Sequence, residues 1–265
     1  ADGDLALWLD ASTITGVADD GNVLTWNDIT GNNNDAVSFS GDRPTLKHEA
    51  MNKLNVINFE EDESQYLEIS PDASVMPDEI SLFVVGNHTT NSDSWAGFVF
   101  LDDGNYNNNW DNGYGIALNG NTSQTIGFVS DYDDGNSVTG ALAPSTDQIM
   151  TLVYDQSSAN SNIEMLVNET SLGTTNHTAP IEHNNNPKGL WIGYSANYYL
   201  DGNIAEVIII NSGVNEAQRI IISNYLSAKY EIGIAPASDF YSRDVDDYDF
   251  EVAGIGQAAD GSNHT

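Results

Sequence analysis

Apolar residues occur along this chain in short runs separated by clusters of Asn, Asp, Gly, Ser and Thr. Leu5 to Leu9, Val23 to Trp26, Leu54 to Phe59, Tyr66 to Ile69, Ile80 to Val85 and Phe98 to Leu101 form the first set. Tyr114 to Leu118, Ile126 to Val129, Ile149 to Tyr154, Ile163 to Val167, Leu190 to Tyr194 and Ala205 to Ile210 form the second. Runs of roughly four to eight residues bounded by turn formers read as β-strands. In Leu54-Asn55-Val56-Ile57-Asn58-Phe59 and Ile163-Glu164-Met165-Leu166-Val167 the residues alternate, so one face points at a core and the other is wetter. The spacing predicts an all-β chain, a two-sheet antiparallel sandwich of about a dozen strands or more. No repeat with a period of about 20–50 residues is visible, which argues against a propeller or solenoid.

One segment departs from this pattern. In Asn215 to Tyr230 (NEAQRIIISNYLSAKY), Ile221, Ile222, Tyr225, Leu226, Lys229 and Tyr230 fall at helical spacing. Asn215 suits an N-cap, and Gly233 lies shortly after the end. This predicts one C-terminal α-helix packed on the sandwich. Past it the chain turns acidic and then glycine-containing, with Asp239, Asp244, Asp246, Asp247, Asp249 and Glu251 ahead of Gly254, Gly256 and Gly261. The expected division is a sandwich domain over 1–232 and a tail over 233–265, either the start of a following domain or a returning strand.

Charge narrows the function classes. The 265 residues include 40 Asp plus Glu against 7 Lys plus Arg, a formal net charge of −33. Such a chain repels polyphosphates and anionic bilayers, so nucleic acid and membrane surfaces are excluded as partners. A 40% hydrophobic and 9% aromatic content still supplies a core. With no cysteine there are no disulfides, zinc-thiolate sites or thiol nucleophiles. No apolar stretch approaches the about 18 residues of a membrane helix, so no membrane insertion is expected. The opening Ala1-Asp2-Gly3-Asp4, without Met, reads as a piece cut from a longer protein. Acidity of this degree suits a saline, extracellular, marine setting, where salt screens self-repulsion.

A family resemblance rests on particular residues. Leu7-Trp8-Leu9-Asp10-Ala11, Val23-Leu24-Thr25-Trp26-Asn27-Asp28 with Thr30-Gly31-Asn32 and Asp35-Ala36, and Asn58-Phe59 before Tyr66-Leu67-Glu68-Ile69 resemble laminin-G-like, concanavalin A-like jelly-roll domains. So does Gly202-Asn203-Ile204-Ala205-Glu206-Val207-Ile208-Ile209 leading into the helix and Tyr230-Glu231-Ile232-Gly233. The resemblance implies a lectin-like module of a large secreted or cell-surface bacterial protein, calcium-binding in many relatives and used in adhesion. Enzymes of the wider superfamily carry alternating acids on one strand. Here the nearest acids, Glu60, Glu61, Asp62 and Glu63, lead into a loop, so no catalytic residue is expected.

Two constellations carry candidate chemistry. Calcium takes hard oxygen donors, and Asp102, Asp103, Asp131, Asp133 and Asp134 supply carboxylates on two turns, without EF-hand spacing. Sugar sites pair aromatic faces with polar hydrogen-bonding groups. The run from Asp102 to Tyr114 (DDGNYNNNWDNGY) offers Tyr106, Asn107, Asn109, Trp110 and Tyr114, and Trp95, Tyr132, Tyr198 and Tyr199 lie in other turns able to share a rim. Trp8, Trp26 and Trp191 sit inside strand patterns and are assigned to the core. Scattered histidines and serines without a nucleophile elbow add no metal or hydrolase signature. The chain is expected to be a non-catalytic, calcium-assisted, glycan-binding adhesion module beside other domains of the same chain. A peptide-binding module, a structural spacer and a glycan-cleaving enzyme are the alternatives.

Overall fold

A computed structural model describes residues 4–38, 41, 43–70, 73–101, 111–131, 135–183 and 189–240. The strands in chain order begin with β1 (Leu5–Asp10), β2 (Gly21–Asn22), β3 (Thr25–Trp26), β4 (Ala36–Val37), β5 (Thr45–Met51), β6 (Leu54–Phe59) and β7 (Leu67–Ile69). They continue with β8 (Ile80–His88), β9 (Gly97–Leu101), β10 (Asp111–Leu118), β11 (Gln124–Asp131), β12 (Ser137–Ala141), β13 (Gln148–Tyr154), β14 (Ile163–Val167) and β15 (Thr170–Thr175). β16 (Leu190–Ile192), β17 (Tyr194–Ser195), β18 (Tyr198–Tyr199), β19 (Gly202–Ile210) and the helix α1 (Glu216–Tyr230) complete the set.

They form the antiparallel two-sheet sandwich that the runs predict. A nine-stranded sheet has the order β15-β14-β13-β8-β19-β6-β5-β2, with β1 also paired to β19. An eight-stranded sheet has the order β12-β11-β10-β9-β16-β7-β4-β3, and β17-β18 is a separate hairpin. β19 sits centrally because Gly202–Ile210 is buried at nearly every position and pairs with β8 on one side and with β6 and β1 on the other.

Side-chain alternation sorts the apolar residues into three layers. Between the sheets lie Leu7, Trp26, Phe59, Leu82, Val84, Ile116, Leu152, Leu190, Ile192 and Val207, each contributing roughly 1.5–3 kcal/mol relative to exposure. On the outer side of the nine-stranded sheet, Phe83, Val85, Ile149, Val153 and Ala205 pack against Leu226, Tyr230, Ile232 and Ile234 from the helix and the segment after it. On the outer side of the eight-stranded sheet lie Phe100, Ala117, Ile126, Phe128 and Trp191.

The helix begins as expected. Asn215 caps it, its side chain accepting from the Gln218 amide (3.0 Å) while Gln218 Oε1 accepts from the Asn215 amide (3.1 Å). Its end differs: Glu231, at φ 55°, takes the left-handed C-cap position, and Gly233 does not. Beneath it Lys229 Nζ donates to Asp10 Oδ2 (2.6 Å) and Glu206 Oε2 (2.7 Å), Trp8 Nε1 donates to Glu206 Oε1 (2.7 Å), and Tyr230 OH donates to Glu206 Oε2 (2.7 Å). Burial pushes the Glu206 carboxyl up, Lys229 pulls it back and Asp10 adds to the rise, leaving it above the ordinary range. For Lys229 burial acts downward, but Glu206 and Asp10 more than reverse it and hold the ammonium protonated. At the helix's other end Arg219 and Ser223 both reach Glu169, which lies in the β14–β15 turn. Residues 233–240 stay on this layer, with the Ala235 amide donating to the Asn168 carbonyl (2.9 Å) and the Phe240 amide to Asn224 Oδ1 (2.9 Å).

Candidate functional site

The loop residues that carried the family resemblance are structural. Asp28 accepts from the Trp8 amide (3.1 Å), the Thr30 amide (3.0 Å), Thr30 Oγ1 (2.7 Å) and the Asn34 amide (3.1 Å), and Asp35 Oδ1 accepts from the Asp28 amide (2.8 Å). These bonds close the loop on itself and tie it to β1 through the Trp8 amide and the Ala6 carbonyl, with Asn34 also reaching Ser74.

The sequence-based sugar residues divide three ways. Tyr106, Asn107, Asn109, Trp110 and Tyr132 lie outside the described residues, as do Asp102, Asp103, Asp133 and Asp134 of the calcium set. Tyr114 is fully buried between the sheets, its hydroxyl donating to the Val75 carbonyl (2.9 Å). The expectation that it meets a ligand is therefore corrected: Asp111–Leu118 is strand, and strand alternation turns its ring inward. Asp131 is the half-buried last residue of β11, and among the described residues no group of three or more His, Cys, Asp or Glu is placed to hold a metal ion.

Tyr198 and Tyr199 form one strand of the β17–β18 hairpin, where Tyr199 joins the aromatic cluster that Trp95 also packs against, and strand alternation turns Tyr198 to the other side. The hairpin's two central residues, Ala196 (φ 42°) and Asn197 (φ 77°), are both left-handed, the turn whose twist matches a two-residue hairpin. The Tyr199 amide donates to Asp93 Oδ2 (2.8 Å), and Ser195 Oγ donates to the Trp95 carbonyl (2.5 Å), fixing the hairpin against the segment before β9. Tyr199 and Tyr194 face each other across it, ring centroids 4.8 Å apart.

From that pair a continuous aromatic cluster runs along the outer face of the eight-stranded sheet, where Trp191, Phe100 and Phe128 are buried. Tyr194 stacks on Tyr66 (4.9 Å) and meets Trp191 edge-on (4.6 Å); Trp191 stacks on Phe100 (6.3 Å), and Phe100 contacts Phe128 (5.5 Å). Tyr66, Trp95, Tyr194 and Tyr199 are half-buried, so their rings are partly open to solvent. Glu68 lies on the same face, its Oε2 accepting from Trp191 Nε1 (3.3 Å). Gly189 leaves room for it, since a Cβ there would stand 2.7 Å from Glu68 Cγ and 2.9 Å from Oε1. Burial first, then Glu68, pushes the Tyr66 phenol up, keeping it a protonated donor at neutral pH.

Sequence reasoning did not single out Tyr66, Glu68, Trp191 and Tyr194, which the fold brings together on this side of the sheet. The available signal was alternation: Trp191 lies between the inward Leu190 and Ile192, and Glu68 between the inward Leu67 and Ile69, so both must face outward. Only Trp26 of the three tryptophans assigned to the core lies between the sheets. Trp8 is outside the nine-stranded sheet, edge-on to Tyr225 at 6.2 Å.

Two other features can be weighed against this face. Ser130, at φ 61°, contacts His177 Nε2 (3.0 Å) like a nucleophile beside its base, but Ser130 is buried and its Oγ already accepts from the Glu182 amide (3.0 Å). The pair fastens residues 177–182 to β11. A groove of about 570 Å³ beside the helix is lined by apolar residues such as Trp8, Ile210 and Ile222 together with Asp4, Thr30, Ser212 and Gln218.

No protein-family model matches this chain, and no curated protein matches it in sequence. Solved structures do share its fold. The binding domain of Paraclostridial Mosquitocidal Protein 1 superposes with a TM-score of 0.57 at 12% identity, over 85% of this chain and 53% of that one. Domain 4 of AbnA, a GH43 extracellular arabinanase from Geobacillus stearothermophilus in complex with arabinotriose, gives 0.53 at 14% identity over 81% and 96%. The botulinum neurotoxin serotype D binding domain gives 0.57 at 10% identity over 86% and 52%. The chain spans about half the length of the toxin domains it matches. At these identities the likeness is one of fold.

Proposed function

We propose that this chain is a non-catalytic glycan-binding module and that its ligand lies on the aromatic outer face of the eight-stranded sheet. The observation that carries this reading is the set of partly open rings of Tyr66, Tyr194 and Tyr199, packed together over the buried Trp191, on a sheet face that no described helix covers. Tyrosine rings stack on the apolar side of a sugar. The fold's occurrence in an arabinanase domain holding arabinotriose supports the same reading. Glu61, Asp62 and Glu63 form a short 3-10 turn rather than the single strand of acids a glycosidase would use, which favours binding over cleavage. In this reading the module serves adhesion outside the cell, as laminin-G-like domains do, with calcium at the turns of Asp102, Asp103, Asp131, Asp133 and Asp134.

A glycan array probed with millimolar calcium and again with chelator tests it. Selective binding to oligosaccharides is expected, with loss under chelator if calcium bridges or orders the site. Silence across glycans but binding to peptides would replace glycan by a protein partner; silence on both leaves a spacer, and release of reducing ends would make the chain an enzyme.

A further inference from the structure

The ion set beneath α1 brings a lysine amine and two carboxyl groups into contact, out of water and beside aromatic rings. Lys229 Nζ lies 2.6 Å from Asp10 Oδ2 and 2.7 Å from Glu206 Oε2, with the three side chains 14%, 8% and 0% exposed in that order. The rings of Tyr225 and Tyr230 stand 5.5 and 5.1 Å from Nζ. A nucleophile and an acyl carbon's own oxygen are thus held together where water is scarce. We propose that Lys229 and Asp10 condense after folding into an intramolecular isopeptide bond, Nζ to Cγ, with Glu206 as the proton carrier.

Each group is placed for its part. Asp10 Oδ1 accepts from the Ser12 amide (2.9 Å) and Ser12 Oγ (2.7 Å), donors that stabilise the negative charge building on that oxygen when an amine attacks Cγ. Oδ2 is the oxygen left facing Nζ. Both oxygens of Glu206 are fixed, Oε1 by Trp8 Nε1 and Oε2 by Tyr230 OH and Lys229. Burial raises the Glu206 carboxyl above the ordinary range, so it takes a proton more readily than an exposed carboxylate does.

The atoms balance without a co-reactant. At rest the two carboxyl groups keep Nζ an ammonium. Reaction begins when it hands one proton to Glu206 and the freed amine attacks Asp10 Cγ, forming the C–N bond. Glu206 passes that proton to Oδ2, a second Nζ proton follows by the same route, the Cγ–Oδ2 bond breaks, and Oδ2 leaves as water. The third Nζ proton stays as the amide hydrogen, Oδ1 becomes the amide carbonyl oxygen, and Glu206 returns to its starting state. One neutral amide replaces two buried charges, which a dry site favours, and contact within the fold replaces an encounter in solution. The partners are 219 positions apart, so the bond joins β1 to the last turn of α1 around nearly the whole sandwich. It constrains the unfolded chain as a disulfide closing a long loop does.

Intact mass spectrometry of the denatured full chain, after incubation of the folded protein, tests this. Wild type is expected to weigh one water less than its sequence. Trypsin should leave Lys229 uncut and yield the peptide from Ile220 to Arg243 joined to the N-terminal peptide ending at Lys47, since Arg43 precedes Pro44. Lys229→Arg, whose guanidinium stays charged, and Glu206→Gln, which removes the proton carrier, should both show the full sequence mass, with circular dichroism confirming that they are folded. The wild-type mass decides without either variant. A wild-type chain at full sequence mass would overturn the proposal. So would a lost water that maps to an Asp-Gly step such as Asp201-Gly202, or to a Lys229–Glu206 link. A Lys229–Asp10 link that forms as fast in Glu206→Gln overturns the part given to Glu206. None of these outcomes depends on whether the chain binds a glycan.

Discussion

The two sheets share one interior and differ in what lies on their outer sides. Outside the nine-stranded sheet, α1 covers Phe83, Val85, Ile149 and Val153, and the helix is pinned at one end by Lys229 between Asp10 and Glu206 and at the other by Arg219 on Glu169. Outside the eight-stranded sheet there are rings of comparable size, Trp191, Phe100 and Phe128, edged by half-buried tyrosines, with Glu68 among them. Buried charges on the first face are matched to partners within the chain. On the second, the rings of Tyr66, Tyr194 and Tyr199 stay partly open beside the buried Trp191, Phe100 and Phe128. The first surface thus holds an element of the fold in register, and the second is the one on which we propose that the ligand lies.

Variants that separate stability from binding would sharpen or break this contrast. The largest effect is expected from Lys229→Met, which leaves the Glu206 and Asp10 carboxylates buried without their cation. Loss of one partner of such a set costs about 3–5 kcal/mol, to be read as a lower urea midpoint, with ligand affinity of the folded protein unchanged. Tyr194→Ala should do the reverse, lowering glycan affinity by about tenfold or more while costing at most about 1–2 kcal/mol of stability for a half-buried ring. Asn215→Ala removes the helix cap and should cost about 1 kcal/mol, again without a change in affinity. If Asn215→Ala or Lys229→Met weakened binding as much as Tyr194→Ala does, the two faces would not be separate.

The smallest effect is one of pH. Burial pushes the His88 and His183 imidazoles below the ordinary histidine range, with backbone acceptors at Thr122 and Pro77 opposing it only in part. The unfolded chain takes up protons near about pH 6.5, where the folded chain does not. The unfolded state then binds more protons, so stability falls as pH drops from 7 toward 5 and is fully present above the unfolded value. Denaturant midpoints at the two pH values, compared with those of His88→Gln in the same buffers, should show a shallower fall in the variant.

Much of the architecture was legible because the inter-sheet strands are apolar at alternate positions, as in Leu54–Phe59 and Ile163–Val167, and because Asn215 and Gln218 spell out a helix start. Strands β5 (TLKHEAM), β12 (SVTGA) and β15 (TSLGTT) were not read as such. All three lie at or near sheet edges, where one face or both is wet and the alternation that marks a strand disappears. The site was less legible. Exposed-looking aromatics in loops drew attention to Tyr114, whose ring belongs to the core, while Trp191, assigned to the core, is buried as expected but on the outer side of the eight-stranded sheet. The error at Tyr114 comes from weighing composition above the two-residue period, which settles direction and places Glu68 and Trp191 on one side of the sheet. The ion set under α1 lay open to no local pattern, because Asp10, Glu206 and Lys229 are brought together only by the fold.

Hydroxyl-radical footprinting of the folded chain, with and without the oligosaccharide that binds best on the array, tests the central claim most directly. Tyr66, Tyr194 and Tyr199 should lose reactivity on binding, while Trp8 and Tyr225 beneath α1 keep theirs. Protection of Trp8 and Tyr225 with the three tyrosines unchanged would place the ligand on the other side of the molecule and contradict the account.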